Sequence, residues 1–346
     1  MFSGLPEPAA RLVADIGGTN ARFALVAAPG AAPSHIRVLP CVDFAGPEQA
    51  VRAYLAAEGV ALPRAAAFGI ANPVTGDRVA MTNHHWAFSV DGLRAALGLE
   101  RLLLVNDFTA LALSLPHLAA AELEQIGDGQ ALPGQTIALL GAGTGLGISG
   151  LVPAGDTWVP LQGEGGHVTL PAGTRREANL IALLAERYGH ASAERVLSGP
   201  GLVAVHDALR RLDGLPALAL DSATISARGL AGQCPVCAET LHLFCALLGT
   251  VAGDLALTLG ARGGVFVGGG IVPRLGAFFA RSAFRERFLA KGRFRSYLEP
   301  IPTRVIRAPY AALTGAAHAL DTAIAVGFDS HAPQGASTNP STIPFA

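Results

Sequence analysis

Residues 101–116 read RLLLVNDFTALALSLP. The four apolar residues Leu102 to Val105 suit a buried parallel strand, and beyond Asn106 and Asp107 the apolar residues Phe108, Leu111, Ala112 and Leu115 recur at the spacing of one helix face. Asn106 and Asp107 therefore stand at a strand-to-helix switch. In open α/β sheets that is the carboxyl edge of the strands, where ligands bind. This stretch alone leaves Asp107 two roles, a helix cap or a catalytic carboxylate.

The surrounding composition narrows the setting. A chain of 346 residues is long enough for two ordinary domains. Mean hydropathy is +0.41, an excess carried by Ala, Leu and Val. The longest charge-free stretch, residues 129–155, holds Pro133, Pro153 and six glycines from Gly141 onward, so it is not expected to span a membrane. The first residues lack a basic leader and place Pro6, Glu7 and Pro8 where a signal peptide needs an apolar core, which points to a cytoplasmic protein. Net charge is −1 with no basic block, so no nucleic-acid footprint is expected, and partners should be small molecules or further copies of the chain. Four cysteines do not make a disulfide framework. Cys234, Cys237, His242 and Cys245 were they on one helix would spread the outer cysteines roughly 16 Å apart, too far to share an ion. A structural zinc site is not expected there unless the first Cys-x-x-Cys lies in a loop.

Working outward, residues 11–26, RLVADIGGTNARFALV, read as strand, glycine turn and strand, the turn Gly17-Gly18-Thr19-Asn20 supplying residues tolerant of positive φ. A strand at 36–42, a helix at 47–58, a strand at 65–70, extended pieces at 79–81 and 86–88 and a short helix at 91–97 lead back to the opening stretch. Residues 136–152, TIALLGAGTGLGISGLV, repeat the first hairpin's grammar. Two such turns facing each other would offer N–H groups and Thr hydroxyls to an anion from both sides. Beyond them come a strand at 158–161, the loop Glu164-Gly165-Gly166-His167, helices at 176–188, 201–211, 222–231 and after Pro235, and a strand at 264–267 entering Gly268-Gly269-Gly270. Pro273 is placed to open a helix. A strand at 301–306 and a helix at 311–326 follow, and residues 327–346, rich in Ser, Thr, Pro and Gly, are expected to be poorly ordered.

The phosphate chemistry these turns suggest is not that of a P-loop, because the single lysine, Lys291, follows no glycine. Gly145-Leu-Gly147-Ile-Ser-Gly150 fits GxGxxG, but it lies in a hairpin with no following helix, so the dinucleotide reading fails. A phosphotransferase holding phosphates with two hairpins remains, and it needs a metal and a base. Asp15, beside the first turn, is placed to hold Mg²⁺ directly or through water, or else is an ordinary turn carboxylate.

Taken together, DIGGTNARFAL, MTNHHWAFS, NDFTALALSLP, GAGTGLG, GEGGHV, SAERVLSGPGL and VFVGGGIVPR resemble the bacterial glucokinase family, in order from residue 13 to about residue 320. Related sugar kinases carry a Cys-rich zinc motif after a Gly-His loop; this chain has no such cluster and resembles the zinc-free branch. The resemblance implies a two-domain α/β fold of the actin-like, ribonuclease-H-like superfamily with a cleft between domains: a small domain at 1–116 joined by the helix at 311–326, and a large one at 117–310. It implies that Asn106, Asp107, Glu164, His167 and Glu194 contact glucose, with Asp107 the general base. It further implies that Gly17, Gly18, Thr19, Gly143 and Thr144 clamp the phosphates of ATP, that Gly268, Gly269 and Gly270 line the adenosine side, that Mg²⁺ is required, and that the chain is a homodimer. Side chains that both donate and accept suit a ring of hydroxyls. Two alternatives stay open: a kinase for fructose, mannose or an N-acetylhexosamine, and a non-catalytic sugar-sensing regulator, which would carry a DNA-binding segment before the first hairpin.

Overall fold

The structure, a computed structural model, describes residues 10–72, 74, 76–81 and 85–325. The tail at 327–346, residues 82–84 within MTNHHWAFS and residues 73 and 75 of the loop at 72–77 lie outside the described residues. The chain divides into two compact units, residues 1–105 with 316–346, and residues 106–315.

In the first unit the strands are β1 (Arg11–Ile16), β2 (Asn20–Val26), β3 (Ser34–Pro40), β4 (Ala65–Ile70), the short β5 (Arg78–Ala80) and β6 (Ala87–Ser89), and β7 (Arg101–Asn106), with helices α1 (Pro47–Glu58) and α2 (Val90–Ala96) between them. The main sheet has the order β3-β2-β1-β4-β7, β1 pairing antiparallel with β2 and parallel with β4. The apolar runs of β1, β2 and β4 are buried in one cluster with Tyr54 of α1, Leu93 of α2 and Trp86, which precedes β6. α1 begins at Pro47 and stops at Gly59, whose φ of 66° is the left-handed conformation that ends a helix.

The second unit opens with α3 (Asp107–Ser114) and continues through β8 (Leu123–Ile126), β9 (Ile137–Ala142), β10 (Leu146–Ala154), β11 (Thr157–Gln162), α4 (Arg175–Tyr188), α5 (Gly199–Leu212), α6 (Ser222–Leu230), α7 (Pro235–Leu259), β12 (Val265–Gly268), four short helices α8 (Val272–Leu275), α9 (Ala277–Ala280), α10 (Phe284–Leu289) and α11 (Arg295–Leu298), and β13 (Thr303–Ile306); α12 (Ala311–Ala325) begins in this unit and from residue 316 belongs to the first. Its sheet has the order β11-β10-β9-β12-β13-β8. β9 pairs antiparallel with β10 and parallel with β12, as β1 does with β2 and β4. The repeat read in the two hairpins is thus a repeat of whole sheets: three antiparallel strands, then a parallel one. All six residues of β9 and all four of β12 are buried, as continuous apolar strands covered on both faces require.

Three features differ from the sequence expectation. Neither Gly17 nor Gly18 takes positive φ, so the first turn closes without left-handed backbone. The helix opened by Pro273 lasts one turn, because Gly276 at φ 50° redirects the chain into α9. Strand β8 went unread because Leu-Glu-Gln-Ile lacks a strand's apolar signal; it is an edge strand, held antiparallel to β13 and by the Thr303 hydroxyl donating to the Ile126 carbonyl at 2.6 Å. α7 is 25 residues, long and apolar enough to cross a membrane by length and composition although it carries Glu239 and Asp254. It is a core helix here, 72% buried over its most apolar window and packed by α5, α6 and α10.

The helix that carries Asp107 is fixed from behind by α12. A Cβ on Gly315 would stand 1.6 Å from the Ala110 carbonyl oxygen and 2.9 Å from the Ser114 nitrogen, both backbone atoms that cannot step aside. Gly315→Ala is therefore expected to cost about 2 kcal/mol of stability, the range found for overpacked cores. A urea denaturation midpoint equal to that of the unmodified chain would contradict this contact.

Candidate functional site

The start of α3 separates two jobs that the sequence left joined. Asn106, at φ −61° and ψ 145°, is the N-cap: its Oδ1 accepts from the N–H groups of Phe108 at 3.0 Å and Thr109 at 3.2 Å. Asp107 is the first helical residue, and its Oδ1 accepts the adjacent Phe108 N–H at 2.9 Å. The two roles left open for Asp107 are thereby distinguished. The cap belongs to Asn106, and a carboxylate in the first turn gains from the helix dipole whatever else it does.

Phe108 then decides where this helix end sits within its unit. A Cβ on Gly147 would fall 2.1 to 2.3 Å from the Phe108 ring, so the ring lies flat against strand β10 where only glycine leaves room. The hairpin from β9 to β10 is therefore the platform for Asp107.

The same hairpin holds Glu194. The Leu146 N–H donates to Glu194 Oε2 at 2.9 Å, and a Cβ on Gly145 would stand 2.4 Å from that oxygen. Gly145 is glycine because a carboxylate occupies the space beside it. Two glycines of the apparent GxGxxG are thereby explained by what they accommodate, a carboxylate and an aromatic ring, and not by a dinucleotide.

The Glu164-Gly165-Gly166-His167 loop is stitched to both. It forms a single 3₁₀ turn at Gly165–His167 against β10, with Gly166 so close to the Leu146 carbonyl that a Cβ would meet it at 2.1 Å. The Glu194 N–H donates to the Gly166 carbonyl at 2.9 Å, and Ala193 N–H to that of Val168 at 2.9 Å. As a result His167 stands between two carboxylates, its Nε2 3.9 Å from Glu164 Oε2 and its Nδ1 4.0 Å from Glu194 Oε1. The Glu164 and His167 side chains are open, 64% and 59% exposed, whereas Glu194 is at 32%. Open groups with donor and acceptor capacity, braced by a partly buried one, form a surface suited to a polyhydroxylated ligand.

The turn at Gly143 and Thr144, expected from the sequence to hold phosphate, belongs to this unit too. The Gly143 N–H is committed to the Gly145 carbonyl at 2.8 Å, and Gly199 N–H donates to the Gly143 carbonyl at 2.8 Å, which ties the turn to the start of α5. Gly143 has open space where a Cβ would go. Of the triplet after β12, Gly268 sits opposite Gly141 in register and Gly269, at φ 80°, lies against the Ala142 carbonyl. These two let β12 end against β9, and only Gly270 faces open space.

In the other unit the first turn is closed by the Gly17 N–H on the Asn20 carbonyl at 3.0 Å and braced by the Cys41 N–H on the Thr19 carbonyl at 2.9 Å. Asp15 is directly opposite Arg22 across the hairpin, with Arg22 Nη1 donating to Asp15 Oδ2 at 2.9 Å. Burial pushes the Asp15 carboxyl above its ordinary value, and the Arg22 charge and hydrogen bond pull it back. Sequence reasoning missed Arg22, although two positions equidistant from a hairpin turn are expected to face each other. It also missed Phe108, Gly145 and Leu146, whose roles depend on contacts far along the chain.

Comparison with known proteins adds a family to this geometry. The sequence pattern of the family described as Glucokinase matches residues 12–323. The chain is 62% identical over 326 residues to a glucokinase of Aromatoleum aromaticum, covering 94% of this chain and 98% of that protein. It is 51% identical over 340 residues to a glucokinase of Chromobacterium violaceum, covering 98% and 97%. Among solved structures, the crystal structure of a glucokinase from an Antarctic psychrotroph superposes with a TM-score of 0.83 at 39% identity, covering 90% of this chain and 99% of that one.

Proposed function

The chain belongs to the glucokinase family, and from that premise we propose that it transfers the γ-phosphate of ATP to the 6-hydroxyl of glucose, with Asp107 as the general base. The observation that carries the reading is the single hairpin at 137–154: it seats Phe108 next to Asp107, holds the Glu194 carboxylate, backs the loop of Glu164 and His167, and bears the turn of Gly143 and Thr144. Base, sugar contacts and one phosphate turn are fixed to one another by contacts within one unit.

In this reading Asn106, Glu164, His167 and Glu194 hold the sugar hydroxyls by paired hydrogen bonds. The 6-hydroxyl oxygen attacks the γ-phosphorus, its proton passes to the Asp107 carboxylate, and the bond between the γ-phosphorus and the bridging oxygen breaks to leave ADP. Because Gly17 and Gly143 commit their N–H groups inside their own turns, the donors offered to phosphate oxygens are those of Gly18, Thr19 and Thr144 with the two Thr hydroxyls. Gly268, Gly269 and Gly270 are assigned to the adenosine side, with Gly270 the one that offers open backbone.

Mg²⁺ belongs to the same proposal. Asp15 is a hard oxygen donor with Oδ2 on Arg22, which fits a metal held through water better than one bound directly. A bound Mg²⁺ would neutralise charge on the transferring phosphates. A cytoplasmic setting is supported by four cysteines that are all free thiols, which suits a reducing compartment. The homodimer rests on the family resemblance.

A coupled assay of ADP release across a hexose panel tests the substrate. Glucose is expected to give the highest kcat/KM, with fructose, mannose and N-acetylglucosamine each lower by about tenfold or more, since a site built to bind particular hydroxyls rejects analogues that misplace them. A different ranking would replace glucose with another sugar, and no turnover with any hexose would make the chain a regulator.

A further inference from the structure

Helix α7 begins with a Cys-x-x-Cys pair whose surroundings the sequence pattern did not disclose. Cys234 is the N-cap, outside the helix proper, and its Sγ accepts the Cys237 N–H at 3.2 Å. Cys237 lies one turn in and is buried. Placing both sulfurs at one helix end removes the objection that a helical spacing separates the cysteines of this segment. His242 and Cys245, the other two residues of the sequence-level set, are not part of this arrangement. The His242 ring packs on Phe278 with centroids 4.9 Å apart.

The third member comes from a different helix. His206, on α5, is 0% exposed, and among the described residues neither of its ring nitrogens has a hydrogen-bond partner. Asp207 Oδ1 lies 3.5 Å from Nδ1, but without the geometry of a hydrogen bond. One ligand atom each from His206, Cys234 and Cys237 lie within 4.8 Å of one another. A fully buried imidazole with both nitrogens unsatisfied is costly, and a native structure ordinarily pairs such a group.

We propose that His206, Cys234 and Cys237 form a binding site for a thiophilic divalent cation, Zn²⁺, that ties α5 to the start of α7. Zinc takes thiolate sulfur at about 2.3 Å and imidazole nitrogen at about 2.0 Å, so tetrahedral ligand atoms stand roughly 3.3 to 3.8 Å apart. From separations of at most 4.8 Å, the cluster reaches that spacing when the ligand atoms close by up to about 1 to 1.5 Å. Two thiolates and one neutral imidazole are a donor set suited to zinc over Mg²⁺ or Ca²⁺. Binding releases the two thiol protons to solvent, leaves the metal complex neutral, and reserves the fourth position for water on the side of the partly exposed Cys234. The site uses none of the residues assigned to sugar, phosphate or Mg²⁺, and it differs from a Cys-rich motif placed after a Gly-His loop.

The test is Co²⁺ binding to the full chain, stripped with a chelator under reducing conditions. The expected result is one equivalent of Co²⁺ with thiolate-to-cobalt charge-transfer and tetrahedral d–d bands, displaced by Zn²⁺. Cys234→Ser keeps a helix-capping oxygen while removing a thiolate, and His206→Leu fills the cavity without a ligand; each should weaken Co²⁺ binding by at least roughly tenfold. His242→Gln should leave it unchanged. Zn²⁺ should raise the Tm of the unmodified chain and not that of Cys234→Ser. Absence of the charge-transfer band in the unmodified chain, a spectrum untouched by Cys234→Ser, or a Cys234 to Cys237 disulfide formed in preference to metal binding would each overturn the site.

Discussion

Asp107→Asn is expected to lower kcat by about 10²–10⁴-fold while glucose binding remains measurable, the range that a positioned general base contributes. The substitution is a clean one for structural reasons. The helix cap belongs to Asn106 and is untouched. An Asn carbonyl at position 107 can still accept the Phe108 N–H that Asp107 Oδ1 accepts at 2.9 Å. What disappears is the capacity to take a proton, so the loss should fall on kcat and leave the binding of sugar in place. Near-normal kcat in this variant would remove the base assignment.

Gly145→Ala is expected to lower kcat/KM for glucose by about 100-fold, chiefly through KM, without unfolding the chain. The new Cβ would stand 2.4 Å from Glu194 Oε2 and 3.3 Å from its Cδ, so the flexible end of the Glu194 side chain must yield and the backbone need not. In yielding, the carboxylate gives up the Leu146 N–H at 2.9 Å and its place beside His167. Because both substitutions remove the same arrangement, Gly145→Ala and Glu194→Ala should be strongly non-additive in a double-mutant cycle. Full additivity, or a rise in KM for ATP with KM for glucose unchanged, would show that Glu194 is not held there for the sugar.

The sequence was most informative where local pattern and tertiary role coincide. The helix at 47–58 and the strand at 65–70 appear with those limits, because a proline start, a glycine stop and an all-apolar strand leave little for the rest of the fold to decide. The paired hairpins were legible from their Gly-Thr turns, and they head two sheets with the same pairing pattern. Elements whose identity depends on partners were not legible. Strand β8 is specified by β13, and among the short helices between residues 272 and 298, α10 and α11 are specified by their packing on α7 and α8 by its packing on β12 and β13.

Within the site, residue types pointed to chemistry better than to position. Asn106 and Asp107 were found from one stretch, but which of them caps the helix depended on backbone angles. Glu194 had no local signal, and its connection to the hairpin is made by a single hydrogen bond spanning 48 residues of sequence. Gly145 and Gly147 carried a motif that pointed toward a dinucleotide, whereas the space they leave is filled by Glu194 and Phe108. His206 offered no motif with Cys234 and Cys237 because the proximity arises from the packing of α5 against α7.

The central claim is that this chain moves the terminal phosphate of ATP onto the 6-oxygen of glucose. It is tested most directly by incubating the chain with ATP, Mg²⁺ and glucose labelled with ¹³C at carbon 6, and following products by ³¹P and ¹³C NMR. The account predicts one phosphomonoester coupled to the labelled carbon for each ADP formed. Phosphate on a different hydroxyl, ADP released with inorganic phosphate and no sugar phosphate, or no ADP at all would contradict it.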